Sequence, residues 1–355
     1  MQGYDDNKNI YLEEVDLLQQ LLLVEFQLSH YERYRQNPQP IQKINRKKPR
    51  DHKPHKLRGN RPNLNTTPPN MVSKTWKQSL DEEGYVVVDG LIRPDLLEPL
   101  REACERAIAK ARKNEWPYRR LVGTQFPPWD KGDDVWGVQH VMNPDLNEPV
   151  FAQWYGSPQL MHAVCEILNV KENELQLELF NLLINPLESD YELTWHRDAI
   201  SPETSDAEEI ERLKIPHYGT QWNTALYDES CLLVVPRSHN RVRTAEERRI
   251  TEHDPLSQQM PGQLRVHLCA GQTVFYNNNI LHRAAYSKDS KRATLHACIG
   301  TTTGGHHRAE NIFQHGLEWM REEKFRRTLP ESMFGPYDNL IRLADQEKAK
   351  AAEAH

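Results

Sequence analysis

From Leu175 onward the chain is a succession of short strand-like runs cut apart by turn-rich segments, and this texture limits the fold more than any other feature. The runs fall at 175–185 (LQLELFNLLIN), 191–196, 219–227 (GTQWNTALY), 231–235 (CLLVV), 272–277 (QTVFYN) and 293–300 (ATLHACIG). Each has strand length and is bounded by turn formers. The preceding stretch is different. GYVVVDGLI (84–92) reads as a strand closed by Gly90. A helix then opens near Pro94, with Leu97, Leu100, Ala103, Ala107 and Ala111 on one face. A second helix is expected from Ser157, an N-cap followed by Pro158, to about Leu168. Helices followed by irregularly spaced strands imply a mainly β fold with flanking helices (α+β), a jelly-roll barrel at its centre.

Four segments are expected. Residues 1–36 form an amphipathic helix, with Leu12, Val15, Leu18, Leu22 and Phe26 at helical spacing. Residues 37–74 are Pro- and Asn-rich and basic. The stretch KINRKKPRDHKPHKLRGNR carries nine Lys/Arg and almost nothing to bury. Such a segment cannot offset its ordering entropy and is expected to be a disordered linker. Residues 75–308 hold the barrel domain with its N-terminal helices, and 309–355 form a helical tail.

Charge and cysteine usage exclude several classes. The 355 residues carry a net charge of −6, which gives no whole-chain signal for nucleic acid or an anionic membrane. The basic 43–61 segment is the one hint of a polyanion partner or of nuclear import; otherwise a cytoplasmic protein is expected. The five cysteines are scattered without a CxxC pair, which reads as a reduced chain lacking a disulfide framework or a cysteine zinc site. LLQQLLLVEF (17–26) is too short and too interrupted to span a bilayer, and neither a secretory signal nor a peroxisomal tripeptide is expected.

Chemistry enters at YELTWHRDAI (191–200), where His196 and Asp198 flank Arg197. On a strand, alternate side chains share a face, so an imidazole and a carboxylate two apart can converge on one point. His-x-Asp alone is weak, because sixteen histidines make such a triplet common. Its weight comes from a third ligand. A non-haem Fe(II) site takes two His and one carboxylate on one octahedral face. His282, in GQTVFYNNNILH, follows a strand and a polar turn and completes that set. Arg292 then opens the next apolar strand. A buried arginine needs a counter-charge, and its planar guanidinium suits the carboxylate of a small dicarboxylic acid.

The order WHRD, QWNTALYDESCLLVVPRSH, GQTVFYNNNILH and then Arg292 resembles the phytanoyl-CoA dioxygenase family of Fe(II)/2-oxoglutarate oxygenases, over roughly residues 82–300. The resemblance implies a double-stranded β-helix (jelly-roll, cupin-like) core. It implies iron held by His196, Asp198 and His282, and the distal carboxylate of 2-oxoglutarate held by Arg292. Trp222 stands where the family places an aromatic beside the cosubstrate. The implied reaction consumes O2, converts 2-oxoglutarate to succinate and CO2, and oxidises a C–H bond of a small to medium organic metabolite. There are departures. Arg237 replaces a glycine usual in VVPRSH, and Ala284 replaces a serine two positions after the distal histidine. Asp198 is retained as an acid, which argues against the related halogenases.

Gln139, in GTQFPPWDKGDDVWGVQH, and Arg197 are the candidate substrate-binding residues. Arg197 points to the opposite strand face from its neighbours, so a salt-bridge role is expected of it and the substrate role is the alternative. His140, His239 and His296 are barrel or loop histidines that could also line the cavity. Residues 123–140 and the acidic 200–214 are expected at the mouth or lid. The acidic stretch disfavours an acyl-CoA substrate. Two other readings compete: a non-catalytic barrel acting as a binding scaffold, and a cupin-like metal enzyme without 2-oxoglutarate. The intact triad argues against the first and Arg292 against the second.

Overall fold

The computed structural model describes residues 74–353, apart from 124 and 126–131. The expected N-terminal amphipathic helix and all but the last residue of the basic linker lie outside those residues. The described chain begins with helix α1 (Trp76–Glu83), started by a capping box. Thr75 Oγ1 accepts from Gln78 N at 3.1 Å, and Gln78 Oε1 accepts from Thr75 N at 2.9 Å, satisfying two otherwise orphaned donors. Gly84 ends the helix at φ 82°. A side chain there would meet His239, since a Cβ would sit 2.5 Å from its Nδ1, so both the turn and the packing demand glycine.

Strand β1 (Tyr85–Val88) and helix α2 (Pro94–Arg112) follow, then the short strands β2 (Arg119–Leu121) and β3 (Val135–Val138). Helices α3 (Val150–Tyr155) and α4 (Pro158–Leu168) precede the long strand β4 (Leu175–Ile184). The remaining strands are β5 (Tyr191–Glu192), β6 (Gly219–Ala225), β7 (Leu232–Val235), β8 (Leu264–Arg265), β9 (Thr273–Tyr276), β10 (Leu281–Tyr286) and β11 (Ala293–Thr301). Helices α5 (Asp206–Leu213) and α6 (Ala245–His253) lie among them.

A seven-stranded antiparallel sheet runs β1-β9-β6-β11-β4-β3-β2, and a four-stranded one runs β5-β10-β7-β8. This is the expected jelly-roll arrangement. Strand alternation sorts the large sheet into two chemistries. Trp222, Phe275, Leu295, Ala297 and Ile299 share one core with α2, α3 and α4. On the other face Ala225, Val274 and Tyr276 pack on Leu232 and Val234 of the small sheet, closing the barrel.

The segments after residue 305 belong to the first of these cores. Helices α7 (Gly305–Ile312), α8 (Glu323–Arg326) and α9 (Phe334–Glu353) contribute Ile312, Phe325, Leu340 and Leu343 to it, with Trp319 between them. No helix of the described residues is long and apolar enough to cross a membrane.

Three local expectations change. The 191–196 strand stops at Glu192, and His196 instead forms an isolated bridge with His282. The stretch 119–138 adds the β2–β3 hairpin to the edge of β4, and the acidic 200–214 contains the capped helix α5. Gly- and Asp-rich sequence hides strands, because their pairing comes from the sheet edge and not from local propensity.

Candidate metal centre

His196 and Asp198 arrive on an irregular segment pinned by backbone hydrogen bonds. His196 N donates to His282 O at 3.1 Å and His282 N to His196 O at 3.0 Å. Asp198 N donates to Asn278 O at 2.8 Å, in the turn that precedes β10. That turn is closed by Asn277, whose Oδ1 accepts from Asn279 N at 2.8 Å, the short-range bonding for which asparagine is favoured in turns.

The two imidazoles are oriented alike. His196 Nδ1 donates to Thr194 O at 2.7 Å, and His282 Nδ1 donates to Ile280 O at 2.9 Å. A carbonyl only accepts, so each ring carries its proton on Nδ1 and turns its Nε2 lone pair inward. Both Nε2 atoms face one oxygen, Asp198 Oδ1, at 3.4 and 3.6 Å. The other carboxylate oxygen accepts from Gln221 Nε2 on β6. The three ligand atoms lie within 4.8 Å of one another.

Electrostatics match this geometry. Burial pushes His282 down to about 4, so it is neutral at pH 7. Burial alone would raise Asp198, but His282, His196 and Gln221 outweigh it and hold the carboxyl well below its usual range. The Nε2 atoms of the two imidazoles and one carboxylate are the kind of donor set that a divalent cation takes.

Arg292 is 3% exposed and stands beside β10. Its Cζ lies 4.4 Å from the ring centroid of Tyr286, four residues beyond His282 and on the same strand face. That offset is roughly 13 Å along the strand. Arg292 Nε donates to Glu229 Oε2, and Nη1 makes no hydrogen bond of ordinary geometry. Nε is therefore engaged by Glu229, while Nη1 is buried near Tyr286 without an acceptor in ordinary geometry, which a carboxylate would supply. Iron and 2-oxoglutarate both fit the residues present.

Other candidates fall elsewhere. Trp222, expected beside the cosubstrate, faces the helical layer, with its ring 5.8 Å from Tyr155 and 5.6 Å from Phe275. Its neighbours Gln221 and Asn223 are the ones that point into the barrel, because side chains alternate. Asn223 Oδ1 meets His296 Nδ1 at 2.8 Å, which places His296 inside as well.

Gln139 is tied by its backbone to Tyr118 and Trp116. Its neighbour His140 packs on Tyr118 and Trp319. Among the described contacts none joins Gln139 to the triad. Arg197 has the ion pair expected of it, its buried Nη2 lying 3.2 Å from Glu209 Oε1. His239 bonds Asp81 O at 3.0 Å and serves the α1 turn.

Arg237 adopts φ 63° where the family has glycine, and its guanidinium clasps Glu83. Gln221 and Glu229 were missed from sequence. The polar–aromatic–polar alternation Gln221-Trp222-Asn223 was the available signal for the first. A second His/Glu group, His306, His307 and Glu310, lies on one turn of α7 with its carboxylate exposed.

The sequence matches the family described as phytanoyl-CoA dioxygenase over residues 80–293, well over half the chain, and the chain belongs to that family. It is therefore an oxidoreductase of the iron- and 2-oxoglutarate-dependent oxygenase class, with Fe(II), 2-oxoglutarate and O2 as its cofactor set. Among solved structures it is similar to AviO1 from Streptomyces viridochromogenes Tue57 (15% identity, 63% of this chain and 93% of that chain, TM-score 0.47). It is also similar to EctD from S. alaskensis with 2-oxoglutarate and 5-hydroxyectoine (16% identity, 67% and 79%, TM-score 0.47). A third is the α-ketoglutarate-dependent epimerase SnoN from nogalamycin biosynthesis (18% identity, 64% and 80%, TM-score 0.44). No curated protein matches.

Proposed function

We propose that this chain is a dioxygenase that oxidises a C–H bond of a small to medium organic metabolite, with His196, Asp198 and His282 holding Fe(II) and Arg292 holding the distal carboxylate of 2-oxoglutarate. The convergence of two carbonyl-oriented Nε2 atoms on Asp198 Oδ1 carries the reading. A pair of surface histidines would have no reason to share that orientation.

When bound, the iron and its cosubstrate supply the oxidising chemistry, with 2-oxoglutarate leaving as succinate and CO2. The chain's part is placement. His196 and His282 present fixed tautomers, and Gln221 holds one carboxylate oxygen so that Oδ1 is the oxygen left to the cation. Arg292, held by Glu229 at Nε, offers its remaining edge to a carboxylate. Trp136, Leu183, Ala284 and Tyr286 form one buried apolar cluster on the barrel side of β10, which keeps water from Arg292.

The test needs no substrate. Fe(II) and then 2-oxoglutarate are added without oxygen, and the visible charge-transfer band of a chelated keto acid is recorded. The band should vanish in His196→Ala and require far more 2-oxoglutarate in Arg292→Ala. Folded protein without a band would overturn the reading in favour of a binding scaffold.

A further inference from the structure

His196 and His282 are joined by two backbone hydrogen bonds in a bridge outside any ladder. It is offset by one residue from the β5–β10 pairs, and single bonds flank it, from Leu193 N to Ala284 O and from Asp198 N to Asn278 O, both at 2.8 Å. Each histidine is followed by an arginine, and both arginines are buried: Arg197 is 4% exposed and Arg283 0%. Alternation on β10 sends Arg283 away from the face of His282, and Arg197 is turned to Asn279, Arg241 and Glu209. Each reaches the segment that carries the other histidine. Arg197 Nη1 donates to Asn279 O at 2.8 Å, three residues before His282. Arg283 Nη1 donates to Glu192 Oε2 at 3.0 Å, four residues before His196, and its Cζ lies 5.4 Å from the ring centroid of Trp195.

We propose that Arg197 and Arg283 are positioning residues that form a reciprocal clasp across the His196–His282 bridge and set the spacing of the two Nε2 atoms. The proposal rests on the triad being a metal site. Arg197 is itself held from behind. Its Nη2 donates to Arg241 O at 2.8 Å and meets Glu209 Oε1 at 3.2 Å. Glu209, on α5, also takes Arg243 at 3.2 Å and Arg248 at 2.9 Å. The acidic helix that the sequence suggested as a lid is thereby the anchor of the clasp.

Buried ion pairs give little net stability over apolar residues of the same volume. What an apolar side chain cannot replace is the directed bond to a particular carbonyl or carboxylate. Donors held at about 2.1 Å on one octahedral face lie roughly 3.0 Å from one another, closer than the present 3.4 and 3.6 Å Nε2–Oδ1 separations. The cation must therefore draw in groups whose backbones are held, and a looser bridge binds it less well.

Co(II), a spectroscopic stand-in for Fe(II), is titrated into the whole protein in competition with a chelator, and its visible ligand-field spectrum is recorded. Arg197→Met and Arg283→Met should each weaken Co(II) binding roughly 10- to 100-fold, as loss of ligand-orienting partners does, and alter the spectrum. Arg197→Lys, which can reach one partner but not several, should fall between wild type and Arg197→Met and covers the case of a misfolded methionine variant. Leu340→Ala, in the helical core remote from the bridge, is the stability control and should leave affinity unchanged. Equal affinity and spectrum in Arg197→Met and Arg283→Met overturn the clasp. So does an equal loss in Leu340→Ala at matched thermal stability. Wild-type protein that binds no Co(II) overturns the metal reading itself, a separate result.

Discussion

Neutralising Glu229 separates two roles that a counter-ion can play. Its carboxylate and the guanidinium of Arg292 are both buried, at 6% and 3% side-chain exposure, and salt screens such a pair weakly. A cosubstrate carboxylate on the free edge of Arg292 would put a second negative charge near Glu229. With a hydrogen bond of about 2.8 Å on either side of the guanidinium, the two carboxylates sit roughly 7 Å apart. At an effective dielectric of about 20 their repulsion is ~2.4 kcal/mol.

Glu229→Gln keeps the shape and one acceptor for Nε while removing that repulsion. If about half of it is recovered, 2-oxoglutarate binds roughly tenfold more tightly. The protein without ligand should move the other way. Leaving a buried charge short of its partner costs a few kcal/mol, ~3 at most here because Gln still accepts, or several degrees of thermal midpoint. Anaerobic titration of the charge-transfer band gives the affinity, and a melt without ligand gives the stability. Weaker 2-oxoglutarate binding in Glu229→Gln would refute the repulsion argument. It would show that Glu229 acts chiefly by fixing the roll of the guanidinium.

Three further outcomes are expected. Trp222→Phe should lower stability by about 1 kcal/mol, as loss of part of a fully buried ring does, and leave the 2-oxoglutarate titration unchanged; a shifted titration would restore Trp222 to the cosubstrate side. Arg237→Gly should raise the thermal midpoint by roughly 1–4 °C, because glycine adopts φ 63° without strain and the exposed pair with Glu83 gives little back. A lowered midpoint would mean that the ion pair outweighs the backbone. Burial, then the charge of Arg120, pushes His296 down to about 3. Its unfolded form protonates first as pH drops below the ordinary 6.5, so the unfolded state binds more protons and stability falls from pH 6.5 towards 3. Urea melts should show His296→Gln losing less stability than wild type between pH 7 and pH 4.5, by ~2–3 kcal/mol; parallel losses would refute the assignment.

What could be read in the sequence was whatever depends on residue type. The triad was legible because a cation demands lone pairs and charge, and few side chains offer them. Arg292 was legible because a buried guanidinium must find an anion. Its actual neighbour, Glu229, was not, since it comes from the β6–β7 turn and only the fold brings it there. Trp222 shows a different limit. Both faces of the large sheet are buried, so an aromatic on β6 has two plausible homes, and size alone does not choose between them. Gln221 and Asn223 did hold the answer. In a strand buried on both sides, the polar set marks the face where function sits, and the residue between belongs to the core.

The His-x-Asp spacing brought two ligands together, though not for the reason that first suggests itself. On a regular strand the alternation would suffice. Here the strand has ended at Glu192, and the local path is set by hydrogen bonds to the Asn277–Ile280 turn and to His282. An irregular segment can bend a carboxylate and an imidazole towards one cation, which a flat pleat presents side by side. The same irregularity interrupts the β5–β10 ladder between Leu193 and His196. Buried arginines beside both histidines return rigidity from behind, where they would not compete with substrate for a bound metal. A chain of this family that kept the three ligands but lost both the clasp and its Glu209 anchor should therefore retain the fold and bind iron weakly. Ligand identity alone is then an incomplete criterion for a working site.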